Sequence, residues 1–269
     1  MYKFLNEYLE SNKPELKIQL IKGVPSRLNA KFLRGFLDTT PISSIEYARH
    51  SEKCYILPDI SISSDGKVRS IFLFSKKPVA ELGGRTIALT SASATSTVLL
   101  KILLKHCYNV DVKYVSMNFN QHTDLSNMDA FLLIGDEAMW AYYKGVDEFD
   151  HIFDLGELWK EFTGEKMVYA LWVVRKDFAD KNADVVDVLS KALLYSKIKG
   201  LKNLDLVIKD ADQRLALPKT HLKKYIKSLN YNFDDKYQES LILFYEYAHK
   251  SGFIGNEVKL NIWRGKCAD

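Results

Sequence analysis

The chain has 269 residues, 47% hydrophobic and 27% charged, proportions that exclude a disordered polymer and leave room for two domains with a substantial core. Lys and Arg exceed Asp and Glu by 38 to 34, a net charge of +4 spread thinly apart from short clusters such as Lys223, Lys224 and Lys227. That balance lacks the basic stripe of a nucleic-acid binder but suits an acidic small molecule. Cys54, Cys107 and Cys267 show no CxxC spacing, which argues against a disulfide framework or a zinc site. With no secretory leader and no run able to cross a bilayer, the sequence points to a cytoplasmic protein.

Residues 2–9 place Phe4, Leu5, Tyr8 and Leu9 on one helical face, and residues 16–21 alternate as a strand should. Residues 25–37 read as a second helix with Pro25 near its start, followed by a short extended piece at 38–42 and the helical SIEYARH. CYILPDISI (54–62) and VRSIFLFS (68–75) read as strands around an SSDGK turn. Residues 110–115, 129–135, 152–155 and 166–175 read as further strands, alternating with helices at 136–143 and 156–162. From residue 177 the pattern turns helical, with segments at 184–201, 206–215, 218–229 and 234–250. Alternation followed by helices predicts an α/β fold with a helical C-terminal segment. Strands 68–75 and 166–175 flank the middle of the chain and read as the two crossings of a hinge. The expected division is residues 1–76 plus 172–269 in a first lobe and 77–171 in a second, with the ligand cleft between them.

The most informative stretch is TIALTSASATSTVLLKILLKH, residues 86–106. A β-branched run meets Ser91, Ser93, Thr95, Ser96 and Thr97, and a leucine-rich amphipathic segment follows. Such a strand-to-helix junction leaves the first N–H groups of the helix unpaired at the positive end of its dipole, where an anion finds donors already aimed at it. The hydroxyls could equally serve as caps. Similar junctions recur at Ser43 and Ser44 and at Asp136, itself a good first-turn residue, and all three are expected to face one cleft. No GxGxxG, P-loop, GxSxG or HExxH occurs, and His50, His106, His122, His151, His221 and His249 are dispersed. What remains is hydroxyls, backbone donors and arginines (Arg27, Arg69, Arg85) able to meet carboxylates: a small-anion site without a cofactor, which binds or catalyses.

The strings PISSIEYAR (41–49), LPDISISSDGKVRSIFLFS (57–75), LTSASATS (89–96), LLIGDEA (132–138) and DLGELWKEFTG (154–164) resemble, in order, those of the chorismate dehydratases of the futalosine route to menaquinone. The resemblance spans residues 24–175. It implies a two-lobed periplasmic-binding-protein fold of type II used as a cytoplasmic, cofactor-free hydro-lyase, with no metal. The implied reaction removes water from chorismate, a small dicarboxylate, to give 3-[(1-carboxyvinyl)oxy]benzoate. Neither nucleic acid nor membrane is an expected partner. By position Ser70 matches the family's catalytic serine, and Ser43, Ser44, Ser93, Thr95 and Ser96 match its carboxylate-holding loops. Arg69 and Asp136 complete the expected substrate contacts. The proton acceptor has no clear side chain, and a carboxylate of the substrate could serve. The family opens with a strand and loop of the type IGxIxYLNxxP whose Asn lies in the active site. Here that strand is expected to be missing, leaving the first lobe short of an inner strand, less stable and poorly active. The same fold also serves the sister enzyme 1,4-dihydroxy-6-naphthoate synthase and binding proteins that close on an anion without reacting.

Overall fold

The computed structural model describes residues 2–119, 123, 125–215 and 217–265, for 210–215 the backbone alone; His122 and Cys267 lie outside them. Helices α1 (Leu5–Asn12) and α2 (Pro25–Leu33) precede β1 (Thr39–Ser43), α3 (Ser44–Arg49), β2 (Cys54–Ser64) and β3 (Ile71–Ser75). β4 (Thr86–Thr90), α4 (Ala94–Ile102), β5 (Lys113–Met117), β6 (Ala130–Ile134), α5 (Gly135–Lys144), β7 (His151–Asp154) and α6 (Leu155–Thr163) follow. The chain closes with β8 (Met167–Arg175), α7 (Lys176–Ala179), α8 (Ala183–Lys202), α9 (Leu204–Leu215), α10 (Lys219–Ser228), β9 (Leu229–Asn230) and α11 (Asp235–Lys250). This is the mixed α/β architecture with a helical tail that the pattern predicts.

The strands form two sheets. One has the order β1-β8-β2-β9 with antiparallel neighbours. The other has the order β5-β4-β6-β3-β7, with β4 parallel to β5 and β6, and β3 antiparallel to β6 and β7. Neither long strand crosses between them. β3 lies wholly in the five-stranded sheet and β8 wholly in the four-stranded one, so the chain passes over in the connection between Ser64 and Ile71 and returns through α6. The exchange therefore precedes the boundaries expected at residues 76 and 172. The expected strand 68–75 begins only at Ile71: Arg69 takes a left-handed φ of 60°, and its N–H and that of Val68 go to Asp154 instead of a ladder. Residues 16–21 form no strand either: their alternation finds no ladder, most of their side chains are exposed, and β1 is an edge strand among the described residues.

One buried cluster joins the two halves, running from Phe32, Ile42 and Ile45 through Leu89 and Leu99 to Trp159 and Phe244. The Trp159 indole meets the rings of Phe244 and Tyr247 edge-on at 6.0 and 5.8 Å, seating α11 against α6. A second seam lies on the opposite flank, where Ile208, Leu217 and Leu222 pack on Met139 and so lay the helical tail across α5. Among the described residues no helix is long and apolar enough to cross a membrane.

Candidate functional site

Register places the candidate residues along one sheet edge. Ile71 pairs with Ile134 and Phe72 with Asp154, while β4 runs parallel to β6 with Leu89 opposite Leu132. The start of β3 and the ends of β4, β6 and β7 thus share an edge, carrying Ser70, the Ser91–Thr97 loop, Gly135 and Asp154. β4 and β3 are two strand spacings apart, about 10 Å.

Ser70 is only 6% exposed, and three elements fix its backbone. Asp154 at the head of α6 accepts from Val68 N at 3.0 Å and Arg69 N at 2.7 Å, and caps its own helix through Gly156 N and Glu157 N at 2.9 and 3.3 Å. Burial pushes the Asp154 carboxyl above its ordinary range against the pull of these four donors. Gly135 N donates to Ser70 O at 2.7 Å, and Ser228 Oγ on α10 reaches Val68 O at 3.3 Å. Arg69 is thereby held in the left-handed region, at a cost of about 1–2 kcal/mol.

The junction hydroxyls partner one another. Ser93 Oγ caps α4 through Ser96 N at 3.3 Å and lies 3.0 Å from Ser96 Oγ. Ser43 Oγ accepts from Asn29 Nδ2 at 3.2 Å. Ser44 Oγ donates to Val168 O at 2.8 Å and lies 3.3 Å from Thr95 Oγ1, which also accepts from Ile45 N at 3.2 Å. The heads of α3 and α4 therefore meet directly, and the Thr95 hydroxyl occupies the place an anion would take on α3. Asp136 is an exposed first-turn residue of α5. Its charge acts on Tyr225, whose phenol is raised first by burial and then by Asp136.

Arg69 lines a cavity of about 90 Å³ together with Phe72, Tyr142, His221, Lys224 and Tyr225. His221 Nδ1 is buried there without a hydrogen-bond partner, while its ring meets Tyr143 edge-on at 4.9 Å. Two cations and a histidine thus stand beside aromatic walls next to Ser70. Among the described residues no three His, Cys, Asp or Glu side chains converge as a metal site requires.

The family model described as menaquinone biosynthesis matches residues 1–250. The chain belongs to this family. The chorismate dehydratase of Thermus thermophilus is 31% identical over 241 residues, covering 85% of this chain and 86% of that protein. Protein AF1704 from Archaeoglobus fulgidus superposes with a TM-score of 0.72 at 22% identity, over 93% of this chain and 94% of that one. The periplasmic aliphatic sulphonate binding protein SsuA from Escherichia coli superposes with a TM-score of 0.66 at 14% identity, over 98% and 88%. At these identities the last two likenesses show the fold alone, which is of the periplasmic-binding-protein kind.

Asp154, Gly156, Ser228 and Tyr225 are the members of the site that the sequence did not single out. The first two lie inside the DLGELWKEFTG string, where only the fold reveals that Asp154 reaches 85 residues back to Arg69. Tyr225 lies in the helical tail, where apolar spacing gives it the look of a packing residue.

Proposed function

We propose that this chain is a chorismate dehydratase, eliminating water from chorismate to give 3-[(1-carboxyvinyl)oxy]benzoate. The observation that carries the reading is Ser70, buried and held by its backbone at the end of a strained crossover on the same edge as the heads of α4 and α5. The ring hydroxyl leaves with a proton from the neighbouring carbon and the ring becomes aromatic, so the reaction is redox-neutral. Ser70 hands its proton to the departing hydroxyl. Arg69 holds a carboxylate bidentately, and the heads of α3 and α4, with Ser43, Ser44, Ser93, Thr95 and Ser96, take the other once the contact between Thr95 and the head of α3 has opened. Orientation and exclusion of water supply the remaining acceleration. Glu46 is an unsuitable base, since Arg49 holds it at 2.7 Å. A substrate carboxylate accepts the carbon-bound proton instead, and Asp136 orients the ligand. On this reading the protein works in the cytoplasm, and the segments around the two sheets act as lobes that clasp a small dicarboxylate.

Incubation with chorismate, followed by mass, should show loss of one water. Ser70→Ala should lower kcat at least about 100-fold, the scale of a lost proton donor, with an unchanged melting temperature. Stoichiometric binding without turnover would move the assignment to a binding protein. An untouched chorismate with cleavage of a cyclised futalosine would move it to the naphthoate synthase.

A further inference from the structure

The cavity lined by Arg69 contains polar groups that the chain itself leaves unused. His221 Nδ1 is buried there without a hydrogen-bond partner, although its ring is fixed edge-on against Tyr143 at 4.9 Å. A buried nitrogen that no protein group satisfies is destabilising, so a ligand explains its position better than packing does. Arg69 and Lys224, the two cations of the cavity, likewise pair with no carboxylate among the described residues. Asp136, exposed on the first turn of α5, is not one of the lining residues. The walls are aromatic, Phe72 stacking on Tyr142 at 4.6 Å with the planes 9° apart. At about 90 Å³ the space is small beside the roughly 300–1,000 Å³ of a whole ligand site, so it receives one group of a ligand. α10 holds His221 in place against the crossover, since Ser228 bonds to Val68 O at 3.3 Å while Leu217 and Leu222 pack on Met139 of α5.

We infer that His221 determines specificity by donating from Nδ1 to a substrate carboxylate seated in this cavity on Arg69 and Lys224. This rests on the chorismate dehydratase reading and deepens it, giving the helical tail a share in the choice of substrate. A carboxylate presents about four lone-pair positions. The Arg69 guanidinium fork fills two of them, which leaves one for the Nδ1–H and one for the Lys224 ammonium. With a proton on Nδ1 the imidazole donates whether it is neutral or charged. Aromatic walls keep water away and strengthen each of these bonds. An ester or amide in the same place is uncharged and forfeits the charge-assisted share, so the cavity favours an acid over its neutral analogues. None of the described lining residues belongs to the heads of α3 or α4. The two carboxylates of the substrate therefore have separate seats, and the site reads a dicarboxylate from both ends. No bond forms or breaks at His221, which acts on binding and not on the chemical step.

The test is steady-state kinetics on chorismate, with thermal melts, for the wild type, His221→Phe and His221→Asn. Phe keeps an aromatic ring for Tyr143 and offers no donor, whereas Asn carries an amide N–H close to the place of Nδ1. His221→Phe should raise KM about 10–100-fold, the scale of one hydrogen bond to a charged group, with kcat within about threefold and the melting temperature no lower than wild type. His221→Asn should return KM to within about fivefold of the wild-type value. Calorimetric titration with 3-[(1-carboxyvinyl)oxy]benzoate should show the same loss of affinity in the Phe variant, because the product keeps both carboxylates. A Phe variant whose KM and product affinity stay within about twofold of wild type would overturn the inference. So would an Asn variant no better than Phe, a loss confined to kcat, or a lowered melting temperature in the Phe variant, which marks a packing role. A wild-type protein inert towards chorismate removes the parent reading and this inference with it, and that failure is distinct because it is seen before any variant is compared.

Discussion

Replacing Gly156 by Ala sets two effects of opposite sign against each other. Gly156 is the second residue of α6 and lies outside the left-handed region, so helix propensity alone favours Ala by up to about 1 kcal/mol. Against this, a Cβ at the position would stand 2.4 Å from Gly66 O, 2.6 Å from the Tyr169 hydroxyl and 3.0 Å from Ser64 Oγ. None of these atoms can swing away. Ser64 Oγ already donates to Gly66 O at 2.8 Å and lies 3.0 Å from the Tyr169 hydroxyl, so the methyl would wedge a closed buried network. Overpacking of this kind costs about 1–3 kcal/mol, and a broken buried hydrogen bond about 1 more. The steric effect wins by roughly 2 kcal/mol, which lowers the melting temperature by about 3–4 °C in a chain of this size. Because Gly66 belongs to the connection that ends at Ser70, turnover of chorismate should fall in the same variant. Circular-dichroism melts and the mass assay read both effects. A melting temperature at or above wild type would refute the reasoning.

Asp154→Asn should lower the urea midpoint by an amount equivalent to about 1–3 kcal/mol, since an amide NH2 must face at least one of the four N–H donors that the carboxylate now satisfies; an unchanged midpoint would remove Asp154 from its anchoring role. His106 lies 2.8 Å from Ser251 Oγ, and burial, aided by Lys105 and Lys250, lowers its pKa below the ordinary 6.5. The unfolded chain therefore takes up this proton first as pH falls, so the group costs stability below about pH 6.5. Urea midpoints at about pH 7.5 and 5.5 should differ less in His106→Gln than in wild type, and an equal difference would contradict the assignment.

The α/β alternation and the helical tail were legible because apolar periodicity is local. What the reading did not reach lies where local pattern does not decide. Residues 16–21 alternate correctly, but a strand is a property of a pair, and no partner is supplied among the described residues. VRSIFLFS has strand composition throughout, yet Asp154 binds the amides of Val68 and Arg69 and turns the first three residues into a connector. Position at helix heads offers Ser44 and Thr95 as seats for an anion, and the structure adds that they lie 3.3 Å from each other. Their mutual contact needs both sheets to be in place, and neither junction alone announces it. Tyr225 lines the same cavity as Arg69 from 156 positions away, beyond any motif spacing.

The meeting of Ser44, Ile45 and Thr95 also bears on selectivity. A neutral hydroxyl that accepts from a helix head is a modest partner, whereas a charged acceptor makes a bond roughly twice as strong at the same donor. A solute that claims the Ile45 N–H must first separate two helix heads and then replace what Thr95 gave. Water and neutral alcohols gain nothing by that exchange, and a monoanion gains at one end alone. On the proposed binding role, a dianion long enough to engage a second cationic patch would recover the cost twice over, and the contact would then act as a filter that reads both the charge and the length of what enters.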